Sequence, residues 1–332
     1  LTTYREVKGY SVKSVTSDPS NIKEGQIWYN SSTKAIKVAP KISAWSSGGN
    51  LNNKANYRYA GGTQTAAFGA GGYNPDLSHL AITDKTEEYD GSSWTNTNDM
   101  GTARYSGCGC GTQTAGLATG GRTGPSASLL NEEYNGSTWT EAGDINTGHG
   151  YGYNVGIQTA ALMATGMSNP SPATHTANAE SYDGTSWTEG PNVNTARRQI
   201  TGFGTSTAMV IAAGGPPNVS NVEEYNGTSW SEVTNTPTTR NESGASGILT
   251  DGLIFGGINP PVSPAVLSNT FSYDGTNWAS APALGTAGAY GNKGESESDS
   301  TSAIFFGTGP GGPLVNTQEY NDVATTRSVD VS

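Results

Sequence analysis

Three pairs of adjacent glutamates, Glu87-Glu88, Glu132-Glu133 and Glu223-Glu224, are the most obvious reactive groups in this chain. Two carboxylates can hydrolyse a glycosidic bond when both face one pocket at a set separation. Neighbouring residues on a strand point to opposite faces, however, and the pair returns at the same place in a repeat. A unique active centre does not recur, so a structural or solvated role is expected. The arginines repeat as well, with Thr102-Ala103-Arg104 returning as Thr195-Ala196-Arg197, next to Arg198. Arg58, Arg104, Arg197 and Arg240 are candidates for the mouth of any channel that the repeats enclose. There they would form either a rim partnered by acidic residues or a site for an acidic glycan or peptide, whose carboxylate a guanidinium fork matches.

Metal and covalent chemistry find little support. The histidines are His79, His149 and His175, and no His-rich motif, phosphate-binding loop or nucleophile elbow is present. Copper chemistry of the oxidase kind would need histidine and tyrosine ligands to converge. Cys108 and Cys110 form a Cys-Gly-Cys run, a spacing poorly placed for an unstrained disulfide. No second pair completes a zinc site. Two small buried thiols on an inner strand are the expectation, with no catalytic residue, metal or cofactor.

The elements that hold these groups are set by a repeat. Tyr-[Asp/Asn]-Gly-x-x-Trp occurs at Tyr89, Tyr134, Tyr182, Tyr225 and Tyr273, with tryptophans at 94, 139, 187, 230 and 278. The tyrosines are 45, 48, 43 and 48 residues apart, a period that suits one four-stranded blade. Each unit reads as a small-residue inner strand, a tight turn, and an apolar strand ending in Gly-Gly or a variant. Gly166-Met167 and Gly307-Thr308 are two such variants. A longer loop, a third strand typified by Glu-Glu-Tyr, a type I′ Asp-Gly or Asn-Gly turn and an outer strand opened by Trp complete the unit. A sixth second strand (303–307) and third strand (317–321) follow near the C-terminus, but no Trp follows Tyr320. The stretch Ala44-Trp45-Ser46-Ser47-Gly48-Gly49-Asn50-Leu51-Asn52 aligns without gaps on Ser186-Trp187 to Asn194. Residues 42–52 are therefore expected to supply the missing outer strand and close a ring, which removes exposed edges. The expected fold is all-β, a six-bladed propeller over 42–332 preceded by an arm over 1–41.

The Gly-Gly, Tyr and Trp arrangement resembles kelch repeats over about 42–322. That likeness implies a propeller fold but no particular function, since propellers host enzymes, scaffolds and adhesins. The segment Glu24-Gly25-Gln26-Ile27-Trp28-Tyr29-Asn30-Ser31-Ser32-Thr33, followed by Ala35-Ile36-Lys37-Val38, reads as a hairpin. It looks like segments of bacteriophage tail, fibre and other virion structural proteins, which implies an arm that docks on another virion protein.

Binding is expected on loops between second and third strands, at 73–86, 122–131, 168–178, 216–221, 258–269 and 308–316. Tyr73, Asn74, Asp76 and His79 would give an aromatic and polar platform for a sugar, joined by Arg122 and His175. The formal charge of −11, with 17 basic residues thinly scattered, argues against a nucleic-acid groove. No apolar run reaches the length of a membrane span. The leading expectation is a non-enzymatic virion structural protein, decorating the particle or part of a tail or fibre, outside the cell. Its partners would be other virion proteins, copies of itself or a host-surface glycan. An extracellular glycan-active enzyme and a cell-surface adhesin are the alternatives.

Overall fold

The computed structural model describes residues 12–23, 25–77, 81–170, 173–259, 265–289, 300–309, 312–324 and 327–328. Among these there is no helix, and the strands form seven small sheets. The architecture is all-β and propeller-like. The chain divides into two compact units, Trp45–Tyr320 and Leu1–Ala44 with Asn321–Ser332. In the smaller, Ile27–Asn30 and Ala35–Val38 form an antiparallel hairpin. Lys13–Val15 adds to one edge and Arg327–Ser328 to the other. Trp28 is buried there, donating through Nε1 to Asp18 at 2.9 Å.

Five sheets of the larger unit have four strands in sequence order, beginning with Tyr59–Thr63, Cys108–Thr112, Tyr153–Ile157, Thr201–Thr205 and Gly244–Ile248. These first strands lie against one another in that succession. The approach is close: a Cβ on Gly109 would sit 2.4 Å from the Ala60 carbonyl oxygen of the preceding sheet. A sixth sheet has the order Ser302–Gly309, Gly312–Ala324, Lys41–Ser47, and Ser302–Gly309 contacts both Gly244–Ile248 and Tyr59–Thr63.

Aromatic rings fill the space between sheets. The tyrosine ending each third strand meets the tryptophan opening the fourth, with centroids 5.0 Å apart for Tyr89–Trp94 and 4.6 Å for Tyr273–Trp278. In the sixth sheet Tyr320 meets Trp45 at 5.3 Å. In three sheets the indole N–H then reaches a threonine of the neighbouring sheet: Trp94 donates to Thr317, Trp139 to Thr86 and Trp45 to Thr270. Four of the tyrosines also donate across the gap to the second carboxylate of the previous sheet. Tyr134 reaches Glu88 at 2.7 Å, Tyr182 reaches Glu133 at 2.8 Å, Tyr273 reaches Glu224 at 2.7 Å, and Tyr89 reaches Glu319.

Two local expectations are corrected. The Asp-Gly and Asn-Gly turns are four-residue loops rather than type I′ pairs, because the side chain of the first residue caps the turn. Asp90 accepts from the backbone N–H of Ser92 and Ser93, both at 2.8 Å, and only Gly91 has positive φ. These bonds, first among them that from Ser93, pull the Asp90 pKa down to about 2. Second, the expected loops 168–178 and 308–316 are largely strand. The ladder Ala160–Pro170 with Ala173–Tyr182 runs on through bulges after Ala164 and Met167.

Candidate functional site

The repeated charged residues form a buried layer. Arg104 donates to Glu132 at 2.8 Å, Arg197 to Glu223 at 2.5 Å and Arg58 to Glu87 at 3.1 Å. Each of these arginines is 0–2% exposed. The same carboxylates hold the loop that leads into the inner strand: Glu87 accepts from the N–H of Asn52 and Asn53, and Glu223 from Asn194 and Thr195. His149 and Glu180 take these places in the third sheet, 3.4 Å apart. Burial raises the Glu180 carboxyl, but bonds from His149, Asn146 and Thr147 outweigh it and the pKa falls. Arg104, His149, Arg197 and Arg240 precede equivalent bridge residues, Tyr105, Gly150, Arg198 and Asn241. Arg58 stands three residues after the matching Ala55, yet its guanidinium fills the same slot.

Arg240 differs, because Phe271 occupies the glutamate position. Its guanidinium lies 4.9 Å from that ring and donates to Thr238 and to the Gly256 carbonyl. Burial lowers its pKa to about 10. The four arginines expected at a channel mouth are thus interior side chains, bonded to carboxylates or carbonyls and closed to a ligand.

What the scaffold leaves variable lies at three other repeat positions. The bridge residues include Tyr105 and Arg198, and their partners after the bend include Tyr73, Arg122 and Met167. The residues next in sequence to the bridge, Tyr57, Ser106, Tyr151, Gln199 and Glu242, all have φ between 54° and 60°. A backbone chain links them from sheet to sheet, with Ser106 N–H donating to Tyr57, Tyr151 to Ser106, Gln199 to Tyr151 and Glu242 to Gln199. Glycine adopts this conformation more cheaply than other residues, so a tyrosine at Tyr57 and Tyr151 is there for its side chain.

These positions bring together a tyrosine–arginine cluster. Tyr57 lies 5.6 Å from Tyr151 and 6.4 Å from Tyr105, and Tyr73 lies 5.7 Å from Tyr105. Arg122 stands 5.5 Å from the Tyr105 ring and 5.9 Å from Tyr151, with Arg198 5.8 Å from Tyr151 on its own approach. All six side chains are half-buried. Burial raises the Tyr105 hydroxyl, with Arg122 opposing. His175 pairs with Met167 across the extended hairpin, and burial, then Arg198, lowers its pKa.

Of the residues expected on the loops, Tyr73, Arg122 and His175 therefore join or border one cluster. Asn74 and Asp76 do not. Asn74 caps a turn by accepting from Asp76 N–H, and Asp76 pairs with Lys54 at 2.8 Å. His79 lies outside the described residues. Tyr57, Tyr105 and Tyr151 add to the site expected from the loops, and bulky residues beside a small-residue inner strand are the signal for them in the sequence. Cys108 and Cys110 are buried and not disulfide-bonded. Among the described residues no group of three His, Cys, Asp or Glu is placed to hold a metal ion. No protein-family profile matches the chain, and no curated protein is similar to it.

Proposed function

We propose that this chain is a six-bladed, kelch-like propeller that serves a virus particle as a non-enzymatic structural and attachment component. The observation that carries a binding role is the division of labour among repeat positions. Carboxylates and arginines able to do chemistry are buried against one another, while tyrosines and two arginines are gathered where the scaffold makes no demand. Arg58, Arg104, Arg197 and Arg240 are closed to substrate, and no carboxylate pair among the described residues faces the open Arg122 and Arg198 as a hydrolase would need.

Ring closure is supported by the sixth sheet, where Lys41–Ser47 lies beside Gly312–Ala324 and Trp45 meets Tyr320 as the other tryptophans meet their tyrosines. Gly48 N–H donates to Thr317 O at 3.0 Å and Leu51 N–H to Val315 O at 2.7 Å, extending that pairing. The particle assignment draws on the likeness of the 24–38 hairpin to phage tail and fibre segments, with the arm as the docking element and the cluster as the contact surface. Gold-labelled antibody imaging of the source culture tests it. Label on heads or tails of released particles is the expected result, and label confined to cell surfaces or medium would refute it.

A further inference from the structure

Arg122 and Arg198 are distinguished by what surrounds them. Both approach the Tyr151 ring, at 5.9 and 5.8 Å. Arg122 donates to the Tyr151 hydroxyl and to the Pro125 carbonyl, each at 3.3 Å, and Arg198 to Met167 Sδ at 2.8 Å. Among the described residues neither forms an ion pair with a carboxylate, whereas Arg58, Arg104 and Arg197 each do. The Nε of both is buried without a hydrogen-bond partner, as in Arg58, Arg104 and Arg240, and so is Nε2 of the neighbouring His175. In a chain with 28 acidic and 17 basic residues, two guanidiniums without a counter-ion on one tyrosine are an unusual concentration of positive charge. The loss of hydration at two half-buried guanidiniums is offset when an anion accepts hydrogen bonds from them. A carboxylate matches the planar fork of donors that each arginine presents.

The tyrosines narrow the choice of anion. The rings of Tyr57, Tyr73, Tyr105 and Tyr151 form a contiguous series. Aromatic faces carry partial negative charge and attract polarised C–H groups such as those on one side of a pyranose. An aspartate or glutamate side chain of a peptide would use the arginines and leave this surface idle. We propose that Arg122 and Arg198, both beside Tyr151, bind the carboxylate of an acidic sugar whose ring rests on the adjoining tyrosines. The proposal rests on reading this cluster as the contact surface, and is independent of the particle assignment.

The test is titration of the full chain with 3′-sialyllactose, trigalacturonate, lactose and a hexaglutamate peptide, followed by calorimetry or saturation-transfer NMR. At least one carboxylated sugar should bind about tenfold or more tightly than lactose, and Arg122→Gln or Arg198→Gln should each lower that affinity by about tenfold, as for loss of a charged hydrogen bond. Added salt should weaken the binding. Arg198→Lys, which keeps the charge but not the fork, should fall between. Thermal melts identify any variant that has lost its fold, and the remaining arginine variant then carries the comparison. Equal binding of lactose that is lost in Tyr151→Ala would overturn the anion assignment while leaving the contact surface standing. Sugar binding indifferent to all these substitutions would overturn the contact surface as well. Preference for hexaglutamate, or no binding of either acidic sugar, would overturn the ligand class.

Discussion

At the scale of residues, one slot filled in several ways shows what the repeat requires. The slot holds an arginine or histidine bonded to a backbone carbonyl at or just before the bend and, in most sheets, close to a glutamate. Arg104 and Arg197 fill it from the regular position, Arg58 from three residues further on, and His149 with a shorter side chain. Removing the anion alone leaves a buried, uncompensated charge. Glu132→Ala is therefore expected to destabilise the fold by about 3–5 kcal/mol in urea denaturation. Among the described residues Arg240 has no carboxylate partner, and it faces Phe271. Arg240→Met should thus cost under about 1 kcal/mol, since replacing a poorly compensated buried charge by an apolar chain is often neutral. A larger loss for Arg240→Met than for Glu132→Ala would contradict this account. The pairing of arginines with acidic residues was one of two readings open from the sequence. Burial was not legible, because spacing alone does not say whether a strand-end arginine turns inward.

At the scale of elements, the tyrosine–tryptophan pair and the double bend define each sheet. The bend uses glycines at Gly71-Gly72 and Gly120-Gly121, but Thr165-Gly166 in the third sheet and Ala213-Gly214 in the fourth, all with positive φ. Aligning the third sheet on Gly166-Met167 is thus one residue out of step, since Thr165 adopts the left-handed conformation without being glycine. The sixth sheet takes its tryptophan from the other end of the chain. Trp45 packs against Phe255 at 4.9 Å and donates to Thr270 at 3.1 Å. Trp45→Ala should therefore lower stability by about 3 kcal/mol, as for truncation of a large packed aromatic. A melt like that of an exposed-surface variant would argue against the ring.

At the scale of the whole molecule, inter-sheet contacts of one type recur, so their responses to pH add. Burial first, and the hydrogen bond to a glutamate second, raise the pKa of Tyr182 and Tyr273 from 10.0, and Tyr89 rises to about 12. Burial raises Tyr134 likewise, with the bond from Thr97 opposing and that to Glu88 assisting. Because the folded state holds these protons more tightly, their stabilisation is complete below pH 10 and is lost as pH rises through the folded values. Melting temperature should fall steeply between about pH 10 and 12, and Tyr134→Phe should flatten the slope. An unchanged melting temperature across that range would rule the effect out. Removal of residues 1–41 leaves Trp45–Tyr320 whole. That unit should still fold, as read by circular dichroism, while incorporation into particles should be lost if the arm docks.

The sequence by itself determined the all-β class, the repeat and the alternation of small inner strands with aromatic outer ones. Those features follow from local spacing, turn chemistry and side-chain volume. Only the tertiary structure decided which polar residues face inward and which gather at a surface. Arg104 and Arg122 are both arginines of the second repeat, yet one meets Glu132 in the interior and the other lies beside Tyr105 and Tyr151. The difference arises from the bend at Gly120-Gly121, whose left-handed backbone turns the chain between them. It arises equally from contacts with neighbouring sheets, which lie far away in the chain, as Tyr105 lies 46 residues from Tyr151. Proximity of that kind is set by packing, and no local pattern encodes it.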